Sequence, residues 1–176
     1  MSPSKKRESV LVMGIGNELR GDDAAGLLVA RGLLSEKVPS FVTILEMAGD
    51  GASFMARWKN VDRLILVDAI TAGLPPGSVI RMDARKEIVP ASLFATSSHS
   101  FGLAQAVAIS LALDELPASV TLYGIQAGNF QMGTEMTPGV QRAIQETIAA
   151  IRCELAGMTL AADGRARATL TTLKSE

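Results

Sequence analysis

The chain has 176 residues, 48% of them hydrophobic but only 4% aromatic, which predicts one domain with a core of Ala, Val, Ile, Leu and Met. Its 17 basic and 18 acidic residues give a net charge of −1, which argues against a nucleic-acid binder, because phosphate recognition needs a basic face. No apolar run reaches bilayer length, the N-terminal MSPSKKRES lacks the apolar stretch of a signal peptide, and the lone Cys153 excludes an internal disulfide, which fits a reducing cytoplasm.

Residues 9–13 (SVLVM) are a short apolar run ending at Gly14 and predict a buried strand. GIGNELRGDD follows as a loop. Residues 22–34, rich in Ala and Leu, predict a helix whose N-terminus Asp22 or Asp23 would cap. Residues 41–47 predict a second strand and residues 49–58 a short helix. Residues 63–68 (RLILVD) predict a third strand, apolar enough to be buried on both faces. Residues 77–82, after a Pro-Pro-Gly turn, predict a fourth and more polar strand. An irregular stretch over 83–98 leads to a helix over 100–113, with Ser98 or Ser100 as its N-cap. Residues 120–125 predict a fifth strand, followed by a glycine-containing loop.

The last predicted helix spans 138–156. Val140, Ile144, Ile148, Ile151 and Leu155 recur every three or four residues and mark one face of it, and Pro138 suits its first turn. Cys153 falls in this helical pattern and is expected to be a buried structural thiol rather than a nucleophile. The sequence after Gly157 is polar and aperiodic, which predicts a single domain over 8–157 with flexible tails at 1–7 and 158–176. Strands alternating with helices imply an α/β fold: a mainly parallel sheet with helices on both faces.

In open α/β sheets, ligands bind outside the carboxyl ends of the strands. Three segments expected at that edge carry candidate metal ligands. The loop after the first strand has Asp22 and Asp23, the third strand ends in Asp68, and His99, the only histidine, precedes the helix at Ser100. A carboxylate ending a buried run must be paired, hydrogen-bonded or metal-bound, so Asp68 fits a loop cap and a metal ligand equally well. Asp23 taken alone fits a helix N-cap, and His99 taken alone fits a loop histidine without a role. Together, imidazole and carboxylates suit Zn²⁺ or Ni²⁺, and three protein ligands leave coordination positions open.

Two other readings bear on the same edge. Gly14-Ile15-Gly16 has the start of a dinucleotide loop, and Glu46 would lie near a ribose. The third fingerprint position is Leu19, however, and Asp22 and Asp23 would repel phosphates. The plainer role of the glycines is a sharp turn out of the strand. Ser98 and Ser100 flank His99, but adjacent side chains of an extended segment diverge, which disfavours a serine nucleophile.

GIGNELRGDDAAG at 14–26, LILVDAI at 64–70, PPGSV at 75–79, SHSFGL at 98–103 and YGIQ at 123–126 occur in one order. Together they resemble the nickel–iron hydrogenase maturation endopeptidases over roughly residues 10–150. The resemblance implies a three-layer α/β/α fold with a twisted, roughly five-stranded sheet and cytoplasmic action. The chain is expected to be a monomer, or a weak dimer, until it meets its substrate. It implies proteolytic removal of a C-terminal extension from a hydrogenase large-subunit precursor after nickel insertion. The family's metal-binding residues fall on Asp23, Asp68 and His99. Nickel would come with the substrate, and zinc or cadmium would occupy the site in vitro. Asp23 or Asp68 would either sense nickel or act directly on the attacking water. A non-catalytic metal-binding assembly factor on the same fold is the alternative. Where the family has a Gly-Gly-Thr turn after the second strand, this chain has Ala48-Gly49-Asp50-Gly51, and the sequence assigns Asp50 no role.

Overall fold

The computed structural model describes residues 8–35, 37–94 and 101–172, with side chains described through residue 159. In chain order the elements are β1 (Val10–Ile15), a 3-10 turn (Gly21–Ala24), α1 (Ala25–Leu34), β2 (Val42–Met47), α2 (Gly51–Trp58), β3 (Arg63–Ile70) and β4 (Val79–Asp83). A second 3-10 turn (Ala91–Phe94), α3 (Leu103–Ala112), β5 (Ser119–Gln126) and α4 (Pro138–Thr172) complete them. The strands form one sheet in the order β2-β1-β3-β5-β4. All neighbours are parallel except β4, which runs antiparallel to β5 at one edge.

β1 is buried at every position and β3 at all but its first, because helices cover both faces of the central strands. Alternation along the strands divides the core in two. Val10, Val12, Ile65 and Val67 pack against Ala30 and Leu33 of α1 and the Val140–Ile144–Ile148–Ile151–Leu155 stripe of α4. Leu11, Met13, Leu64 and Leu66 pack against Phe54 and Trp58 of α2 and Leu103 and Val107 of α3. Trp58 Nε1 donates to Ser110 Oγ at 3.2 Å, joining α2 to α3. The result is the expected three-layer α/β/α sandwich with a five-stranded, mostly parallel sheet.

Several local expectations change. The helix predicted from residue 22 begins as a 3-10 turn and becomes α-helical only at Ala25, and no side chain caps either segment. Asp50, without a role in the sequence, is the N-cap of α2: its Oδ1 accepts from Ser53 N at 3.0 Å. α3 begins at Leu103, with Gly102 as its N-cap, while Ser98 and Ser100 lie outside the described residues. The backbone of α4 stays helical beyond Ala156, through Thr172. Cys153 is exposed, because two residues on from the buried Ile151 is the opposite side of a helix.

Candidate active site

The chain leaves β1 for β2 on one side of the sheet and then crosses to β3 on the other, so the strand order reverses between β1 and β3. This is a topological switch point, where open α/β sheets leave a crevice at the carboxyl ends of the strands. The last residue of β1 paired with β3 is Gly14, opposite Val67. Asp68 follows at once, where β1 has peeled away. It shares a strand face with Leu64 and Leu66, and so points toward α2 and α3.

The turn after β1 is built to bring Asp23 to the same place. A Cβ on Gly14 would stand 2.1 Å from the Gly26 carbonyl oxygen, and one on Gly16 would stand 1.9 Å from that of Asp23. These glycines allow helix and strand backbones to touch, which is a tighter constraint than the sharp exit read from the sequence. Asn17 Oδ1 accepts from Leu19 N at 2.9 Å, and Arg20 N donates to the Asn17 carbonyl at 3.2 Å. Asn17 N in turn donates to the Asp23 carbonyl at 3.2 Å, closing the loop.

The two aspartates of the Asp-Asp pair have separate jobs. Asp22 is fully buried. Its carboxylate accepts from Gly128 N, Asn129 N, Thr137 N and Thr137 Oγ1 at 2.7–2.9 Å. It is a clamp on the loop before α4 and no candidate ligand. Asp23 faces a cleft of about 140 Å³, which is also lined by Gly16, Asn17, Arg20, Gly49, Phe54, Asp68, Phe94, Gly102 and Leu103. The structure therefore brings Asp23 and Asp68 together. Among the described residues no group of three or more His, Cys, Asp or Glu side chains gathers to hold a metal, and His99 lies outside those residues.

Both carboxylates are buried, at 9% and 8% exposure. Burial pushes the Asp68 carboxyl well above the usual carboxylate range, the Asp23 charge pushes it the same way, and the bond from Ala69 N at 2.8 Å opposes them. Burial also raises Asp23, against the opposing charge of Arg20. Arg20 Nη1 lies 3.7 Å from Asp23 Oδ2, and its Nε donates to the Phe130 carbonyl at 3.3 Å. Arg20 escaped the sequence reading, although its position three residues before Asp23 is the spacing of neighbours on one helical turn. Glu46 is unsuited to a ribose: Arg31 of α1 binds its Oε2 through Nε at 2.8 Å and Nη2 at 2.7 Å, and pairs with Glu18 as well.

The family model for HycI, hydrogenase maturation protease, matches residues 29–154. The chain belongs to the hydrogenase maturation protease family. It is 32% identical over 151 residues to the hydrogenase 2 maturation protease of Escherichia coli (strain K12), an alignment covering 81% of this chain and 90% of that protein. It is 31% identical over 151 residues to the hydrogenase expression/formation protein HupD of Rhodobacter capsulatus, covering 84% and 71%. The hydrogenase maturating endopeptidase HybD from E. coli superposes with a TM-score of 0.72 at 26% identity, over 85% of this chain and 93% of that one. The NiFe hydrogenase maturation protease HycI from Thermococcus kodakarensis KOD1 does so with a TM-score of 0.67 at 28% identity, over 86% and 94%.

The protease is thus an endopeptidase of hydrogenase maturation, and its cleft joins the two carboxylates that the motifs GNELRGDD and LILVDAI carry. Among the described residues no helix is long and apolar enough to cross a membrane.

Proposed function

We propose that the protease removes the C-terminal extension of a nickel–iron hydrogenase large-subunit precursor after nickel insertion, and recognises the bound nickel through Asp23, Asp68 and His99. The observation that carries this reading is the pair of buried carboxylates in one small cleft, with Asp68 raised partly by the charge of Asp23. A divalent cation relieves both the burial and the repulsion, and carboxylates with an imidazole are a donor set that suits Ni²⁺ or Zn²⁺. Gly102, in the cleft wall, is three residues on from His99, a chain length that spans at most ~11 Å. The nickel is substrate cargo, held by the precursor, and the three side chains complete its coordination. Zinc or cadmium would take the same positions in vitro. The protease works as a monomer in the cytoplasm on this reading, with the precursor as its partner.

A second reading gives a carboxylate a direct part in hydrolysis. The raised pKa of Asp68 favours it, since a base is most useful when its pKa approaches the working pH. In that role Asp68 takes a proton from the attacking water while Asp23 holds the cation.

The deciding experiment incubates the protease with nickel-loaded and nickel-free precursor and follows the precursor's mass. Loss of a short C-terminal peptide from the loaded form alone is expected. Equal truncation of both forms would sink nickel recognition. Asp23→Ala and His99→Ala are expected to lose cleavage while keeping the wild-type circular dichroism spectrum.

A further inference from the structure

A cleft of about 140 Å³ is smaller than the roughly 300 Å³ at which pockets for small ligands begin. An endopeptidase substrate is a polypeptide, so most of the cleaved segment must lie along a surface that leads into the cleft. β2 offers such a surface among the described residues. β2 is an edge strand, and the chain beyond its carboxyl end, Ala48 and Gly49, lines the cleft beside Asp23 and Asp68.

The main-chain groups of β2 are oriented by its pairing with β1. Val10 N donates to the Phe41 carbonyl at 3.0 Å, and Gly16 N to the Met47 carbonyl at 3.2 Å. In a parallel ladder the residues that bond a given neighbour alternate, so Thr43, Leu45 and Met47 spend their N–H and C=O groups on β1. Ile44 and Glu46 direct theirs to the outer edge, which is free of a neighbouring strand among the described residues. Beside that edge, Leu45, Met47 and Met55 are partly buried and form an apolar strip on the α2 side. An added strand gains main-chain bonds from Ile44 and Glu46, and places alternate side chains on the strip.

We infer that the free edge of β2 is the docking rail for the precursor's C-terminal extension, which binds there as an added antiparallel strand. The inference rests on the reading that the scissile bond sits at the Asp23–Asp68 cleft. The direction then follows: the extension leaves the cleft toward its own C-terminus, and the cleft lies at the carboxyl end of β2, so the extension runs against β2.

The test uses the intact protease and a nickel-loaded precursor that it cleaves. Single prolines are placed along the extension, one residue at a time. Proline removes an N–H, which a strand tolerates only where that N–H faces away from its neighbour. Cleavage is expected to fall at every second position, and a flat profile overturns the inference. On the enzyme side, Glu46→Pro removes an outward N–H, while Glu46→Ala controls for the lost ion pair with Arg31. Relative to Glu46→Ala, Glu46→Pro is expected to raise KM roughly tenfold with little change in kcat, the scale of a lost hydrogen bond. Equal KM in two folded variants overturns the inference. The same assay with nickel-free precursor separates the two readings. An alternating profile with cleavage of both forms keeps the rail and removes nickel recognition. A flat profile with cleavage of the loaded form alone does the reverse.

Discussion

Asp22 and Thr137 are 115 residues apart in sequence and joined by two hydrogen bonds of 2.7 Å, from the Thr137 N–H and hydroxyl to the two carboxylate oxygens. Thr137 immediately precedes α4, so this contact fixes where the longest helix begins relative to the turn that carries Asp23. With Gly128 N and Asn129 N on the same carboxylate, the clamp closes the loop from β5 onto the turn from β1. Asp22→Ala leaves four donors without their acceptor and is expected to cost about 3–5 kcal/mol. Asp22→Asn keeps one acceptor oxygen and is expected to cost about half as much. Urea unfolding monitored by circular dichroism measures both. A loss below that of an ordinary surface substitution in the Ala variant would refute the clamp.

Asp68 is expected to trade stability for function. Its folded pKa lies well above the ordinary carboxylate value, so between the two values the folded state binds more protons than the unfolded chain. Stability is therefore full below the unfolded pKa and falls as pH rises toward the folded one. Asp68→Asn has no charge to bury. It should raise Tm at neutral pH, and the gain should vanish near about pH 3, where both Asp68 states are protonated. Thermal melts across this range check the sign. Precursor cleavage should be lost in the same variant.

Divalent metal should act on the same pair in the opposite direction. Zinc, used as a probe, stabilises the wild-type protein by binding the folded state alone, and is expected to raise its Tm. Asp23→Asn and Asp68→Asn should each blunt the rise. An equal shift in all three proteins would place the zinc elsewhere.

The closeness of α1 to the sheet predicts a sharp contrast between two glycine substitutions. In Gly26→Ala the new Cβ would stand 2.3 Å from the carbonyl oxygens of both Ile15 and Val67. Backbone must move to admit it, at an expected cost of about 3 kcal/mol or more. Gly157→Ala meets nothing within 4 Å and lies inside α4, where Ala is favoured by about 0.5–1 kcal/mol. Melting temperatures of the pair should move in opposite directions.

Cys153 is exposed on α4. Iodoacetamide is expected to alkylate it in the native protein about as fast as in urea, without loss of precursor cleavage. Mass spectrometry after brief labelling tells the two apart, and protection in the native state would return the thiol to the core.

Local pattern determined much of this protein. Apolar runs at β1 and β3, the stripe from Val140 to Leu155 and the alternation of strands with helices specified a parallel α/β sheet, because burial on both faces and helical periodicity leave direct marks in sequence. The motifs around Gly14, Asp68 and His99 marked the family for the same reason: they are short and contiguous. Tertiary structure decided what contiguity hides. Asp22 and Asp23 are neighbours with the same side chain, yet one is a clamp on residues 128–137 and the other faces the cleft. The partners that make Asp22 a clamp lie more than a hundred residues away in the chain. Cys153 lies outside because the helical phase, rather than its residue type, sets its face. Asp50 is a cap because α2 starts one residue later. The sequence placed Asp23 and Asp68 at one sheet edge. Their mutual electrostatic strain came from the fold, which peels β1 away from β3 at Val67 and buries both carboxylates in the gap.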